Sequence, residues 1–79
     1  MYKMSEEISS SLYLALESQY QAQINKAKAT LLVYFNNPVG IGEHPQHLEE
    51  MDKLICEMVD GDDKLNMLRK SFNCYSSNN

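Results

Sequence analysis

The stretch Asn36-Asn37-Pro38-Val39-Gly40-Ile41-Gly42-Glu43-His44-Pro45 decides the fold, because it separates two long segments of helical periodicity. It holds both prolines and two of the three glycines of the chain. The residue before a proline is driven out of the helical region, so a first helix should end at Asn36 or Asn37. Pro45 suits the first position of a second helix, where a missing N–H costs nothing. We therefore predict the turn of a helical hairpin, with a loop over residues 36–44.

The segment before the turn predicts one helix over about residues 9–35, without glycine or proline. Its apolar residues recur every three or four positions, as one face of a helix requires: Ile8, Leu12, Leu16, Tyr20, Ile24, Ala27, Leu31 and Phe35. Near Leu12 to Leu16 apolar residues point in almost every direction, which indicates cover from two sides. An alternative is a separate short N-terminal helix, broken near Ser9–Ser11.

The segment after the turn predicts a second helix of similar length, over about residues 45–72, followed by a frayed polar tail over 73–79. One apolar stripe runs along it: Leu48, Met51, Ile55, Met58, Leu65, Leu68 and Phe72. Two acid-before-base pairs at four-residue spacing favour the helix, Glu49 with Lys53 and Asp60 with Lys64. Gly61 interrupts the stripe and marks either a break or kink or a close helix–helix contact; we favour a continuous or mildly bent helix.

These elements give an all-α fold: two long antiparallel helices in one domain, residues 1–79, which assemble into an oligomeric helical bundle. A chain of 79 residues buries too little surface to be very stable alone, and such chains often use disulfides, metals or self-association. Two cysteines, Cys56 and Cys74, make no disulfide framework. We therefore expect self-association to supply the additional stability.

Charge and hydropathy argue against several classes of function. The formal charge of −4 argues against general nucleic-acid binding, which normally needs a basic face. No apolar run approaches the ~20 residues that span a bilayer, and the polar, acidic start does not have the character of a signal peptide. We expect a cytoplasmic protein without membrane contact.

Catalysis and metal binding are poorly supported by the pattern of residues. Cys56 lies on the wrong turn to meet His44 or His47, so no nucleophilic pair forms within the second helix. The two histidines share a face, but a structural zinc site wants four ligands. We predict a protein that is not an enzyme and carries no cofactor, with a metal site between chains kept as an alternative.

The candidate binding residues are of three kinds. Tyrosine rings can stack on a ligand while their hydroxyls stay polar, and a lysine can pair with an anionic group. Residues of the turn are the third kind, because glycines before a helix offer exposed backbone amides. The candidates are Tyr13, Tyr20, Lys26, Tyr34, Gly40, Gly42 and His44. Glu43 would repel an anion, so a plain turn is the preferred interpretation of the loop, and a binding loop is the alternative.

One resemblance rests on the stretch from Tyr34 to Pro45, followed by Glu49-Glu50-Met51-Asp52-Lys53 and Asp63-Lys64-Leu65. From about Gln21 to Phe72 the chain resembles small uncharacterised proteins of tailed bacteriophages, including T4-like phages of marine bacteria. The position of Gly61 departs from that group. The resemblance implies a phage product that acts in an infected bacterial host, and it implies no particular activity or site residues.

Three hypotheses about function follow. The leading one is a non-enzymatic binding protein that self-associates and engages a host or phage protein, or that sequesters a small anionic, nucleotide-like ligand between chains. The second is a structural or assembly component of a phage particle. The third is a helical protein that binds metal between chains.

Overall fold

The chain folds as two long antiparallel helices. The computed structural model describes residues 2–37 and 46–76. Helix α1 spans Tyr2–Phe35 and helix α2 spans Gln46–Phe72, and a short 3₁₀ turn, Asn73–Tyr75, follows α2. The all-α prediction is confirmed, and the described ranges contain no strand. The molecule is a rod of 61 × 17 × 17 Å, two helices thick.

Helix α1 begins earlier than the sequence pattern indicated. We predicted a start near residue 9, or a separate short helix broken near Ser9–Ser11, and both predictions are wrong because the helix runs unbroken from Tyr2. Serine in a helix interior is only modestly less favourable than alanine. Three consecutive serines therefore do not break a helix that neither glycine nor proline interrupts.

The first helix stops where the proline rule predicted. The N–H of Asn36 still donates to the carbonyl of Leu32 at 3.0 Å, and the N–H of Asn37 donates to the carbonyl of Tyr34 at 3.2 Å. The switch from a four-residue to a three-residue hydrogen bond tightens the last turn before Pro38. Most of the predicted loop, including Gly40, Gly42 and His44, lies outside the described residues.

Helix α2 is continuous through Gly61, as we favoured. Gly61 is buried against α1, and a Cβ added there would lie 2.9 Å from Ile24 Cγ1 and 3.2 Å from the carbonyl oxygen of Tyr20. The glycine thus allows α2 to approach the backbone of α1 closely. The close-contact interpretation of Gly61 is confirmed, and a break of the helix at this position is wrong.

The core is a single seam between the two helices. Its buried apolar residues are Tyr13, Ala27, Leu31, Leu65 and Leu68. The chain continues past α2 in the 3₁₀ turn, which contacts α1, and the rings of Tyr75 and Phe72 lie 6.5 Å apart. The predicted frayed tail is therefore wrong for Asn73–Tyr75, and residues 77–79 lie outside the described range.

Truncation of Leu65 should destabilise the hairpin. Leu65 is 3% exposed, and a buried leucine cut to alanine typically costs about 2–5 kcal/mol. We expect Leu65→Ala to lower the free energy of unfolding in urea by at least about 2 kcal/mol. The matched control is Leu14→Ala on the outer side of α1, which should change it by less than about 0.5 kcal/mol. Equal effects of the two variants would contradict the assignment of the core.

Candidate interaction surface

An apolar groove lies at the end of the rod away from the turn. It encloses about 260 Å³ and is lined by Ser9, Leu12, Tyr13, Leu16, Leu68, Phe72 and Tyr75. We call these seven residues the end groove. All but Ser9 offer carbon surface, so the groove has little to hold a polar or charged ligand in one orientation.

The groove forms because exposed apolar side chains of both helices flank the buried seam at this end of the rod. Tyr13 belongs to the seam and is 5% exposed, while Leu12, one residue earlier, is 62% exposed on the groove side. Opposite them, Phe72 stays half exposed although it continues the buried line of Leu65 and Leu68. One hairpin therefore builds the groove but leaves it open to solvent.

The sequence predicted part of this surface. The excess of apolar residues near Leu12 to Leu16 is confirmed, since Leu14 is also 51% exposed, on the other side of α1. Tyr75 was missed because it lay in a tail rich in serine and asparagine. An aromatic residue three positions after Phe72 was the available signal, since that spacing continues the apolar face by one more turn.

A polar network holds the middle of the rod together. The side-chain amide of Gln23 donates to the carbonyl of Glu57 at 2.8 Å and to Asp60 Oδ2 at 3.0 Å. Lys64 Nζ lies 3.0 Å from the same Asp60 oxygen and 5.9 Å from the ring centre of Tyr20. The amide and the ammonium group together hold the pKa of the Asp60 carboxyl below 3.8, and Asp60 in turn raises the pKa of Lys64 above 10.5.

The ion pairs agree only partly with prediction. Asp60–Lys64 forms as predicted, whereas Lys53 lies 3.7 Å from Glu50 rather than pairing with Glu49. Residues three and four apart are both neighbours on a helix, so a lysine between two acids can take either. A third pair joins the two helices, with Arg69 Nε 3.2 Å from Glu17 Oε2.

The depressed pKa of Asp60 makes stability depend on pH. A carboxyl whose pKa is lower in the folded state stabilises the fold above its unfolded pKa, and that contribution is lost as the pH falls through the folded-state pKa. We expect the parent chain to melt at a higher temperature than Asp60→Asn at pH 7, and the gap to narrow below about pH 4. Circular dichroism melts between pH 2 and 7 test this, and a gap independent of pH would contradict it.

The candidate binding residues do not converge on one pocket within a chain. Tyr13 is buried in the end groove, Tyr20 lies beside Lys64, and Tyr34 packs edge-on against His47 with ring centres 5.4 Å apart. Tyr13 and Tyr34 are 21 positions apart, which is about 32 Å along a helix. Lys26 is exposed in the half of α1 nearer the turn, and the described part of the chain gives it no ion pair. Gly40, Gly42 and His44 fall in the undescribed segment.

Metal and thiol chemistry find little support in the described residues. Among residues 2–37 and 46–76, no group of three or more histidine, cysteine and acidic side chains is placed to hold a metal ion. Cys56 and Cys74 are both free and exposed. None of the described helices has an apolar stretch long enough to cross a bilayer.

A second apolar surface lies on the other side of α2, in the half nearer the turn. Leu48, Ile55 and Val59 are exposed there, roughly 140–180° around the helix from Leu68 of the end groove. We call these three residues the outer stripe. Exposed carboxylates of Asp52 and Asp62 stand beside it. The hairpin thus presents the outer stripe in addition to the end groove, and the turn end of α1 exposes further apolar side chains, those of Leu32, Val33 and Phe35.

Comparison with models of protein families, with curated proteins and with solved structures found no match for this chain.

Proposed function

We propose that this chain is a non-enzymatic binding protein that works as a self-associated helical hairpin. The observation that carries the proposal is the amount of surface left exposed. The chain exposes 6162 Å², whereas a compact monomer of 9.1 kDa exposes about 4,900 Å². The excess is larger than the ~800 Å² that each partner buries in a standard protein interface.

The character of this surface supports the same conclusion. Among the residues whose burial the structure describes, exposed large apolar side chains outnumber the buried ones, and large contiguous apolar patches on soluble proteins mark interaction sites. The radius of gyration, 17.4 Å, compares with about 12 Å for a compact domain of this length. A rod of two helices can bury more only by meeting other helices.

Self-association makes thermal stability depend on concentration, because only the folded chain binds its partner. We expect the midpoint of thermal unfolding, followed by circular dichroism, to rise by several degrees between 2 and 200 µM chain. A midpoint that does not move over this range would remove self-association from the proposal.

The outer stripe is the surface that we assign to a different protein. Its exposed apolar side chains offer area for a partner, and Asp52 and Asp62 favour a partner whose contact surface is apolar with basic edges. The resemblance to phage proteins makes bacterial host proteins the first candidates. We prefer a protein partner to a nucleotide-like ligand because the outer stripe is apolar and the exposed carboxylates of Asp52 and Asp62 beside it would repel phosphate.

Affinity capture from bacterial lysate, quantified by mass spectrometry, tests the outer stripe. We expect Ile55→Glu to lose the proteins that the parent chain retains, because the new carboxylate would be desolvated in the contact. Leu14→Glu, on the other helix, is the matched control and should retain them. Identical sets of proteins for the two variants would exclude the outer stripe as the binding surface.

A further inference from the structure

We infer that the end groove is closed by the end groove of a second copy, in a dimer whose two-fold axis runs along the rod, so that both turns lie at the same end. This inference rests on the self-association proposed above, and it adds the surface, the orientation and the contacts. The result would be a four-helix bundle in which each helix neighbours only antiparallel helices.

The position of the groove selects this orientation. The groove lies at one end of the rod. The same side further along is mostly polar on α1, where it carries Gln19, Gln23, Lys26 and Thr30, with Val33 as an exposed apolar exception near the turn. If the second copy ran the opposite way along the full rod, the apolar end of each copy would face the polar end of the other. If that reversed copy shifted to bring groove onto groove, only about half of each rod would overlap. A two-fold axis along the rod brings groove onto groove with the rods fully overlapped.

The charges at the other end agree with the same orientation. Contacts across the hairpin pair Glu17 with Arg69 and Gln23 with Asp60. Because the two helices run antiparallel, a residue of α1 and a residue of α2 lie at the same height along the rod when their numbers sum to about 83. Lys26 is therefore level with Glu57, and both side chains are exposed. An axis along the rod keeps these heights and sets α1 of one copy beside α2 of the other. Lys26 then faces Glu57 of the second copy.

The groove favours a second copy over a small apolar ligand because of its shape and surroundings. It is an open trough, and neighbouring side chains outside it remain exposed and apolar, as Met67 does on α2. A small molecule could fill the trough but would leave Met67 in water. At the height of Met67 the facing residue of the second copy is Leu16, which covers it.

Spin labels near the turn distinguish the possible arrangements. A single cysteine at Glu49→Cys, in a Cys56→Ser, Cys74→Ser background, places the label on exposed helix near the turn. In the proposed dimer the two labels are separated only across the bundle, about 20–25 Å. Full overlap in the reversed orientation separates them by about 35 Å or more, and groove-centred reversal by about 65 Å.

Double electron–electron resonance on this variant measures the distance between the two labels and so distinguishes the three arrangements. We expect one distance peak at about 20–25 Å, and we expect Leu12→Glu in the same background to abolish it. A peak at 35 Å or beyond would overturn the proposed orientation while leaving self-association intact. A sample in which no pair of labels couples would overturn both the orientation and self-association. The thermal unfolding of the unlabelled chain between 2 and 200 µM then shows whether the chain is a true monomer or the label prevents association.

Discussion

Gly61→Leu should lower the free energy of unfolding by about 3 kcal/mol or more. A Cβ alone at this position reaches within 2.9 Å of Ile24 Cγ1 and 3.2 Å of the Tyr20 carbonyl oxygen. The tip of a flexible side chain could yield, but the backbone of α1 can move only if the helices separate. For a chain of 79 residues, whose total stability is on the order of 4–12 kcal/mol, this is a large fraction.

The control for this prediction is Asp63→Leu, two residues further along the same helix. Asp63 is exposed, so an added leucine there meets solvent and should change stability by less than about 0.5 kcal/mol. The effect of Gly61→Ala on the free energy of unfolding should fall between those of Gly61→Leu and Asp63→Leu. Alanine gains about 1 kcal/mol of helix propensity, which offsets part of the cost of the close contact with the Tyr20 carbonyl. Urea denaturation of all three variants at one concentration provides the comparison, and a stabilising Gly61→Leu would contradict the close approach.

Leu12→Glu should weaken self-association at least 100-fold while leaving the hairpin folded. Leu12 is 62% exposed in one chain, so the fold loses little when it is replaced. In the proposed dimer it is buried in the end groove, and the two-fold axis places the substitution twice in the same interface. Two carboxylates would then be desolvated without partners, and each 1.4 kcal/mol lost is a factor of ten in the dissociation constant.

Leu14→Glu is the matched control, since the same residue type lies two positions away and points to the opposite side of α1. Its exposure, 51%, is close to that of Leu12, so the change in hydropathy and charge is the same. We expect it to associate like the parent chain. Dissociation constants from sedimentation velocity would decide, and equal weakening by both variants would show that the end groove is not the interface.

The fold was predictable from sequence because three local rules agreed. The Asn37-Pro38 step ends the first helix, the apolar spacing gives each helix one inward face, and matching lengths permit an antiparallel hairpin. The start of α1 was not predictable in the same way. It depends on whether a serine run is tolerated, and small propensity differences do not decide that.

The candidate surface was harder to foresee. The pattern showed too many apolar residues near Leu12 but could not show which of them the second helix covers, and Tyr13 proves to be covered while Leu12 does not. Tyr75 was missed because its 3₁₀ turn lies in a segment rich in serine and asparagine, and its spacing of three residues from Phe72 was the one signal available. The predicted tyrosines do not meet within one chain, because residues at seven-residue spacing share a face but lie about 10 Å apart along the helix, and their proposed role between chains stays a prediction.

Sedimentation equilibrium of the unmodified chain tests most directly whether a second copy covers the surface that one hairpin leaves open. At tens of micromolar we expect a mass twice that of the 9.1 kDa chain, falling toward 9.1 kDa on dilution. A mass of one chain at every concentration up to several hundred micromolar would contradict the account, since the end groove would then stay open to water.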